Sequence, residues 1–129
     1  MKYLLDTHVI IWYYENLSKI PPEINKIIDN PRNNIYISSA SLWEIAIKIN
    51  LNKLTLNFTF DKLINDIKKG DFEILQIEDK YLKKLANLPL IHKDPFDRLL
   101  VATVLADNLT LITTDENIHK YKISWIWKN

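Results

Sequence analysis

Residues 94–115, DPFDRLLVATVLADNLTLITTD, decide the fold class. Asp94-Pro95 opens a helix, because proline suits a first helical position and aspartate just before it accepts from free amides. Leu99, Leu100, Val101, Ala102, Val104, Leu105 and Ala106 then give that helix a wide apolar surface, as expected of one packed against a sheet. Residues 109–113 form a short apolar strand, and Asp115 starts a short helix to about residue 121.

The same alternation runs outward in both directions. Residues 3–5 are an apolar strand ending at Asp6, followed by a helix over 8–15. Pro22 opens a second helix to about residue 30, and 35–37 is a strand. Residues 39–50 read as a helix, with Leu42, Ile45, Ala46 and Ile49 at spacings of three and four. A helix over 60–69 ends at Gly70 in a C-cap position, 72–77 is a strand, and 79–87 is a helix stopped before Pro89. Residues 123–127 make a last strand. The order βααβααβαβαβ, with short apolar strands, predicts an α/β protein whose parallel sheet is covered on both faces by helices.

Composition narrows the function. The 129 residues suit one compact domain over 1–129, and the hydrophobic fraction of 47% supports a true core. There is no cysteine, which excludes disulfides, thiolate metal sites and thiol nucleophiles. The single glycine, Gly70, cannot build a phosphate-cradling loop or a dinucleotide fingerprint. No apolar run approaches the ~20 residues needed to span a bilayer. The N-terminal run is broken by Asp6 and His8, which spoils it as a signal peptide, so the expectation is a cytoplasmic protein with no membrane partner. Charge is almost balanced, 17 basic against 16 acidic residues, but setting aside Asp6, Glu44, Asp97 and Asp115 leaves 17 against 12. The remaining surface is then mildly basic and can attract a polyanion.

Those four acids share a predicted place. Asp6 ends the first strand, Glu44 lies in the early turns of the helix after the second, and Asp115 follows the fourth. Asp97 lies in the first turn of the helix before that fourth strand. Ligands of an open parallel sheet bind beyond the carboxyl ends of its strands, where the strand order reverses. Clustered carboxylates there suit Mg²⁺ or Mn²⁺, which prefer oxygen ligands. Each acid also has a local explanation. Asp6 and Asp115 can cap helices, Ser41-Leu-Trp-Glu44 matches a capping box, and Asp94-Pro-Phe-Asp97 resembles one. Pattern alone leaves both readings open.

The stretches MKYLLDTHVIIWYY, SASLWEIAIKINLNKL and LPLIHKDPFDRLLVATVLADNLTLITTDENI, with the closing strand, resemble the PIN-domain nucleases, and more narrowly the VapC-type toxins of toxin–antitoxin pairs. The resemblance covers nearly the whole chain in order. It implies a three-layer α/β/α PIN-like fold with a central parallel sheet, and Mg²⁺- or Mn²⁺-dependent endoribonuclease activity. It also implies homodimerisation and inhibition by a small antitoxin laid across the acidic groove. Residue by residue, it carries the family's four acids onto Asp6, Glu44, Asp97 and Asp115, as both catalytic and metal-binding groups, with Asp6 and Asp97 as principal ligands. Asp94 remains a cap. Thr-His follows Asp6 where many PIN domains have Thr-Asn. Hydrolysis by a metal-activated water would leave a 5′-phosphate and a 3′-hydroxyl.

Arg98 is a candidate contact for a substrate phosphate, or else a salt-bridge partner of a site acid. Thr7 and Thr114 flank site acids and are candidates for substrate or ligand contacts, with local turn bonding as the alternative. His8, His92 and His119 lack the His-x-x-x-His spacing of a helical zinc site and read as structural or solvent groups, with His92 near enough the edge for a minor substrate role. Trp12 and Trp43 are expected in the core. Lysines 48, 53, 68, 69 and 93 line an RNA path or a solvated face.

Rival activities fit less well. A haloacid-dehalogenase-type metal-dependent phosphatase wants a second acid two residues beyond the first strand's aspartate, where this chain has His8. A receiver-like phosphoacceptor needs a paired acid and a late lysine, neither of which is evident. A non-catalytic PIN-like binding module is the remaining alternative, and the intact acids argue against it.

Overall fold

The computed structural model describes residues 1–127. Five strands, β1 (Lys2–Leu5), β2 (Asn34–Ser38), β3 (Glu73–Leu75), β4 (Thr110–Ile112) and β5 (Trp125–Ile126), form one sheet in the order β3-β2-β1-β4-β5. Every pairing is parallel. The helices are α1 (Thr7–Glu15), α2 (Pro22–Asp29), α3 (Ser39–Asn50), α4 (Phe60–Lys69), α5 (Asp79–Ala86), α6 (Pro95–Asp107) and α7 (Glu116–His119), with a 3₁₀ turn at Leu17–Lys19.

The short strands are apolar throughout because side chains leave a strand on alternate faces and both faces here are covered. In β1, Tyr3 and Leu5 enter one core while Leu4 enters the other. The first core joins them to Val9 and Ile10 of α1, Ile24 and Ile28 of α2, Ile45 of α3, and Leu63 and Ile67 of α4. The second holds Leu100, Val101 and Val104 of α6, Leu111 of β4 and Ile118 of α7, while α5 packs along α6. The molecule therefore has three layers, α/β/α, as the strand and helix pattern predicts. None of the described helices is long and apolar enough to cross a membrane.

Some boundaries move. The third strand is shorter than 72–77, and the last is confined to Trp125–Ile126. Helix α4 does end at Gly70, though in an extended conformation (φ −85°) that demands no glycine. Left-handed backbone falls instead at Asn52 (φ 58°) and at Asn108 (φ 54°), the second of which ends α6 and turns the chain into β4. Trp43 is 57% exposed rather than in the core, its ring edge-on to Phe96 at 5.2 Å between centroids.

What positions the site is the strand order. The chain leaves β1 toward β2 on one side, while β4 lies against β1 on the other. The reversal falls between β1 and β4, which opens a crevice at their carboxyl ends.

Candidate cation-binding active site

Asp6 is the first residue past β1, and its amide extends the sheet ladder by donating to the Ile112 carbonyl at 3.0 Å. Its carboxylate points into the crevice and is only 2% exposed. Oδ1 accepts from the Thr7 amide at 2.7 Å, capping α1, and Oδ2 accepts from the Thr113 hydroxyl at 2.7 Å. Burial nevertheless raises its pKa above the ordinary carboxylate value, outweighing those bonds.

Thr113 ties two acids together. While donating to Asp6, its Oγ1 accepts from the Asp115 amide at 3.0 Å. Oδ1 of Asp115 caps α7 through the amides of Asn117 and Ile118, which leaves Oδ2 turned to the crevice. Capping and site membership are thus compatible, since one carboxylate oxygen does each.

Glu44 is not the partner in a capping box. The α3 cap is Ser38, which accepts from the Ala40 amide, and Glu44 lies well inside the helix and buried. Its Oε1 accepts from the Thr7 hydroxyl at 2.8 Å, with Ser41 Oγ 2.9 Å from the same hydroxyl, and its Oε2 meets Lys48 Nζ at 2.7 Å. That bond holds the Lys48 ammonium above its ordinary pKa.

Asp97 stands one turn into α6. Asp94 Oδ1 caps that helix, accepting from the Phe96 and Asp97 amides at 2.9 and 3.0 Å. Asp97 Oδ2 contacts His92 Nε2 at 3.0 Å, and the same nitrogen lies 3.4 Å from Asp115 Oδ2. Burial, then the charges of Asp6, Asp94, Glu44 and Asp115, push Asp97 up to about 8. The carboxylates are close enough to repel one another, and a cation among them would reverse that effect.

The tightest group is His92, Asp97 and Asp115, whose candidate ligand atoms lie within 4.8 Å of one another. Asp6 joins through Thr113, and Glu44 through Thr7. A set rich in carboxylate oxygens fits hard divalent cations.

Arg98 makes no salt bridge to a site acid among the described residues. Its guanidinium donates to the carbonyls of Leu88, Pro89 and His92 and to the Tyr121 hydroxyl, at 3.0 to 3.4 Å. Tyr121 Oη in turn donates to the Pro89 carbonyl and accepts from the His92 amide. Together they staple the 88–92 loop onto α6. Arg98→Lys, which cannot reproduce the planar fork, should cost about 2 kcal/mol in denaturant unfolding. Thr114 makes no side-chain hydrogen bond among the described residues, and its neighbour Thr113 holds the site acid instead.

A PIN domain model matches residues 3–123. The chain belongs to the PIN domain family. No curated protein matches it. Among solved structures, this PIN domain is similar to a chain of VapBC2 from Rickettsia felis bound to a DNA fragment from their promoter. That pair shares 21% identity, covers 99% of this chain and 100% of the other, and has a TM-score of 0.74. A chain of DNA-bound VapBC from Salmonella typhimurium is similar at 16% identity, 98% and 97% coverage and a TM-score of 0.69. One of VapBC-1 from nontypeable Haemophilus influenzae gives 19%, 98% and 97%, and 0.67. The VapC-type PIN fold expected from the motifs is the fold found.

The residues whose contacts with the acids the sequence leaves unassigned are Thr113, Lys48 and His92. His92 carries a signal in its closeness to the Asp94-Pro95 helix start. Lys48 carries one as well, its i,i+4 spacing from Glu44 on α3, whereas Thr113 reaches Asp6 through a long-range contact that no local pattern encodes.

Proposed function

We propose that this PIN domain is a Mg²⁺- or Mn²⁺-dependent endoribonuclease and the toxin of a cytoplasmic toxin–antitoxin pair. The observation that carries this reading is the convergence of buried and half-buried, mutually repelling carboxylates at the β1/β4 switch, with Asp97 raised to about 8. The likeness to chains from VapBC assemblies supports a small antitoxin as partner, and homodimerisation is part of the same proposal.

Asp6, Asp97 and Asp115 would hold a divalent cation, with Glu44 completing the site directly or through water. Bound there, the ion supplies hydroxide at neutral pH and positive charge against the scissile phosphate. Thr113 donates to Asp6 and Thr7 donates to Glu44, which fixes the two carboxylates in place. A groove of about 410 Å³ runs beside Thr7 and is lined by Trp12, Lys19, Lys48 and Lys53. Its lysines suit a polyanionic strand, which an inhibitory antitoxin segment would displace.

Water delivered in line does not use the RNA 2′-hydroxyl. Cleaved RNA should therefore carry 5′-phosphate and 3′-hydroxyl ends, checked by end-labelling and phosphatase sensitivity. A 2′,3′-cyclic phosphate would contradict the mechanism.

A further inference from the structure

We propose that His92 is a positioning residue of this site, an Nε2–H donor fixed in one tautomer that keeps Asp97 and Asp115 convergent, and not a nitrogen ligand to the cation. The inference rests on reading the acidic cluster as a cation site. Distances alone favour the opposite view, since His92 Nε2 sits among the candidate ligand atoms of both acids.

The other ring nitrogen decides between them. His92 Nδ1 accepts from the Asp94 backbone amide at 3.2 Å. An amide can only donate, so Nδ1 presents its lone pair there, and the neutral ring then carries its proton on Nε2. A metal ligand needs a lone pair at Nε2. Supplying one would move the proton to Nδ1, where it would confront the Asp94 N–H, donor against donor. The Nε2–H instead points at Asp97 Oδ2, 3.0 Å away, with Asp115 Oδ2 at 3.4 Å.

The ring is held in that pose from behind. Its side chain is 15% exposed. The His92 amide donates to Tyr121 Oη at 3.0 Å, and Arg98 Nη1 donates to the His92 carbonyl at 3.4 Å. Asp94 therefore sets two things at once, the start of α6 through its side chain and the His92 tautomer through its amide. Asp97 Oδ1 has no hydrogen-bond partner among the described residues, so it is the oxygen left for the cation. The ligand set is then all oxygen, which suits Mg²⁺ as well as Mn²⁺.

The test uses the full chain with ¹⁵N-labelled histidine. In chelator, nitrogen NMR should show His92 Nε2 protonated and Nδ1 bare, assigned by loss of the signals in His92→Gln. With Mn²⁺ bound to the same labelled chain, pulsed EPR should show no directly coordinated ¹⁵N that His92→Gln removes. Calorimetric Mn²⁺ affinity should fall about 10- to 100-fold in His92→Ala, the size expected for losing an orienting partner of a ligand. His92→Gln, which keeps a side-chain N–H donor, should recover most of it. A ring protonated at Nδ1, a ¹⁵N coupling traced to His92, or unchanged affinity in His92→Ala would each overturn the proposal. A wild-type chain that binds no Mn²⁺ would instead overturn the cation-site reading, and the tautomer measured in chelator would still judge the donor.

Discussion

Replacing Asp97 with Asn should stabilise the chain in chelator at pH 8, and the gain should shrink as the pH falls toward 5. The Asp97 carboxyl titrates near 3.8 when unfolded and is pushed up to about 8 in the fold, so between those values the folded state binds the extra proton. Stability must then fall as pH rises through that window, and the penalty is complete above about pH 8. Raising a carboxyl's pKa by one pH unit costs ~1.4 kcal/mol of stability once the group is ionised, and partial access to water discounts the total to roughly 2–5 kcal/mol. Asn keeps the shape and an oxygen for the His92 N–H while removing the charge, so its pH profile should be flatter. Mg²⁺ or Mn²⁺ should raise the melting temperature of the wild type more than that of the variant. Thermal unfolding from pH 5 to 8.5, with chelator and with Mn²⁺, measures all of this. A wild-type stability that climbs steadily from pH 5 to 8 in chelator would show that the Asp97 carboxyl is not raised.

Cleavage should respond in the opposite sense. Asp6→Asn and Asp97→Asn should each lower the rate of RNA hydrolysis on the order of 10³-fold or more, because each removes a charge from the set that holds the cation. Asp6→Asn leaves the local frame in place, since an amide oxygen can still accept from Thr7 while Thr113 can turn to accept from the amide nitrogen. Lost activity in a chain that folds at least as stably as the wild type in chelator would then locate the effect in the chemistry. Single-turnover rates for the two variants, measured at saturating Mn²⁺, separate weak ion binding from a missing catalytic charge.

The layered fold is legible in the sequence because its signals are local. The wide apolar surface of α6, the proline at its start and the short apolar strands all follow from near neighbours in sequence. Three of the acids are legible for the same reason, Asp6 at a strand end and Asp97 and Asp115 at helix starts, while Glu44 lies inside α3. What the sequence hides is the wiring between them. Thr113 reaches Asp6 across 107 residues, Thr7 reaches Glu44 across 37, and His92 reaches Asp115 across 23. Asp6 and Asp115 also show that cap and site member are not alternatives, because a carboxylate has two oxygens. Arg98 forms no salt bridge to a site acid among the described residues for a related reason. Next to Asp97 in sequence, its side chain runs the other way along α6 to clamp the 88–92 loop.

The central claim is that carboxylates at the β1/β4 switch cleave RNA through a divalent cation. The direct measurement follows one structured RNA incubated with purified chain in excess chelator and then with Mg²⁺ or Mn²⁺ restored. Cleavage should be absent in chelator, return with either ion, and fail to return in Asp6→Asn and Asp97→Asn. Cleavage that persists in chelator, or that both variants retain, would contradict it.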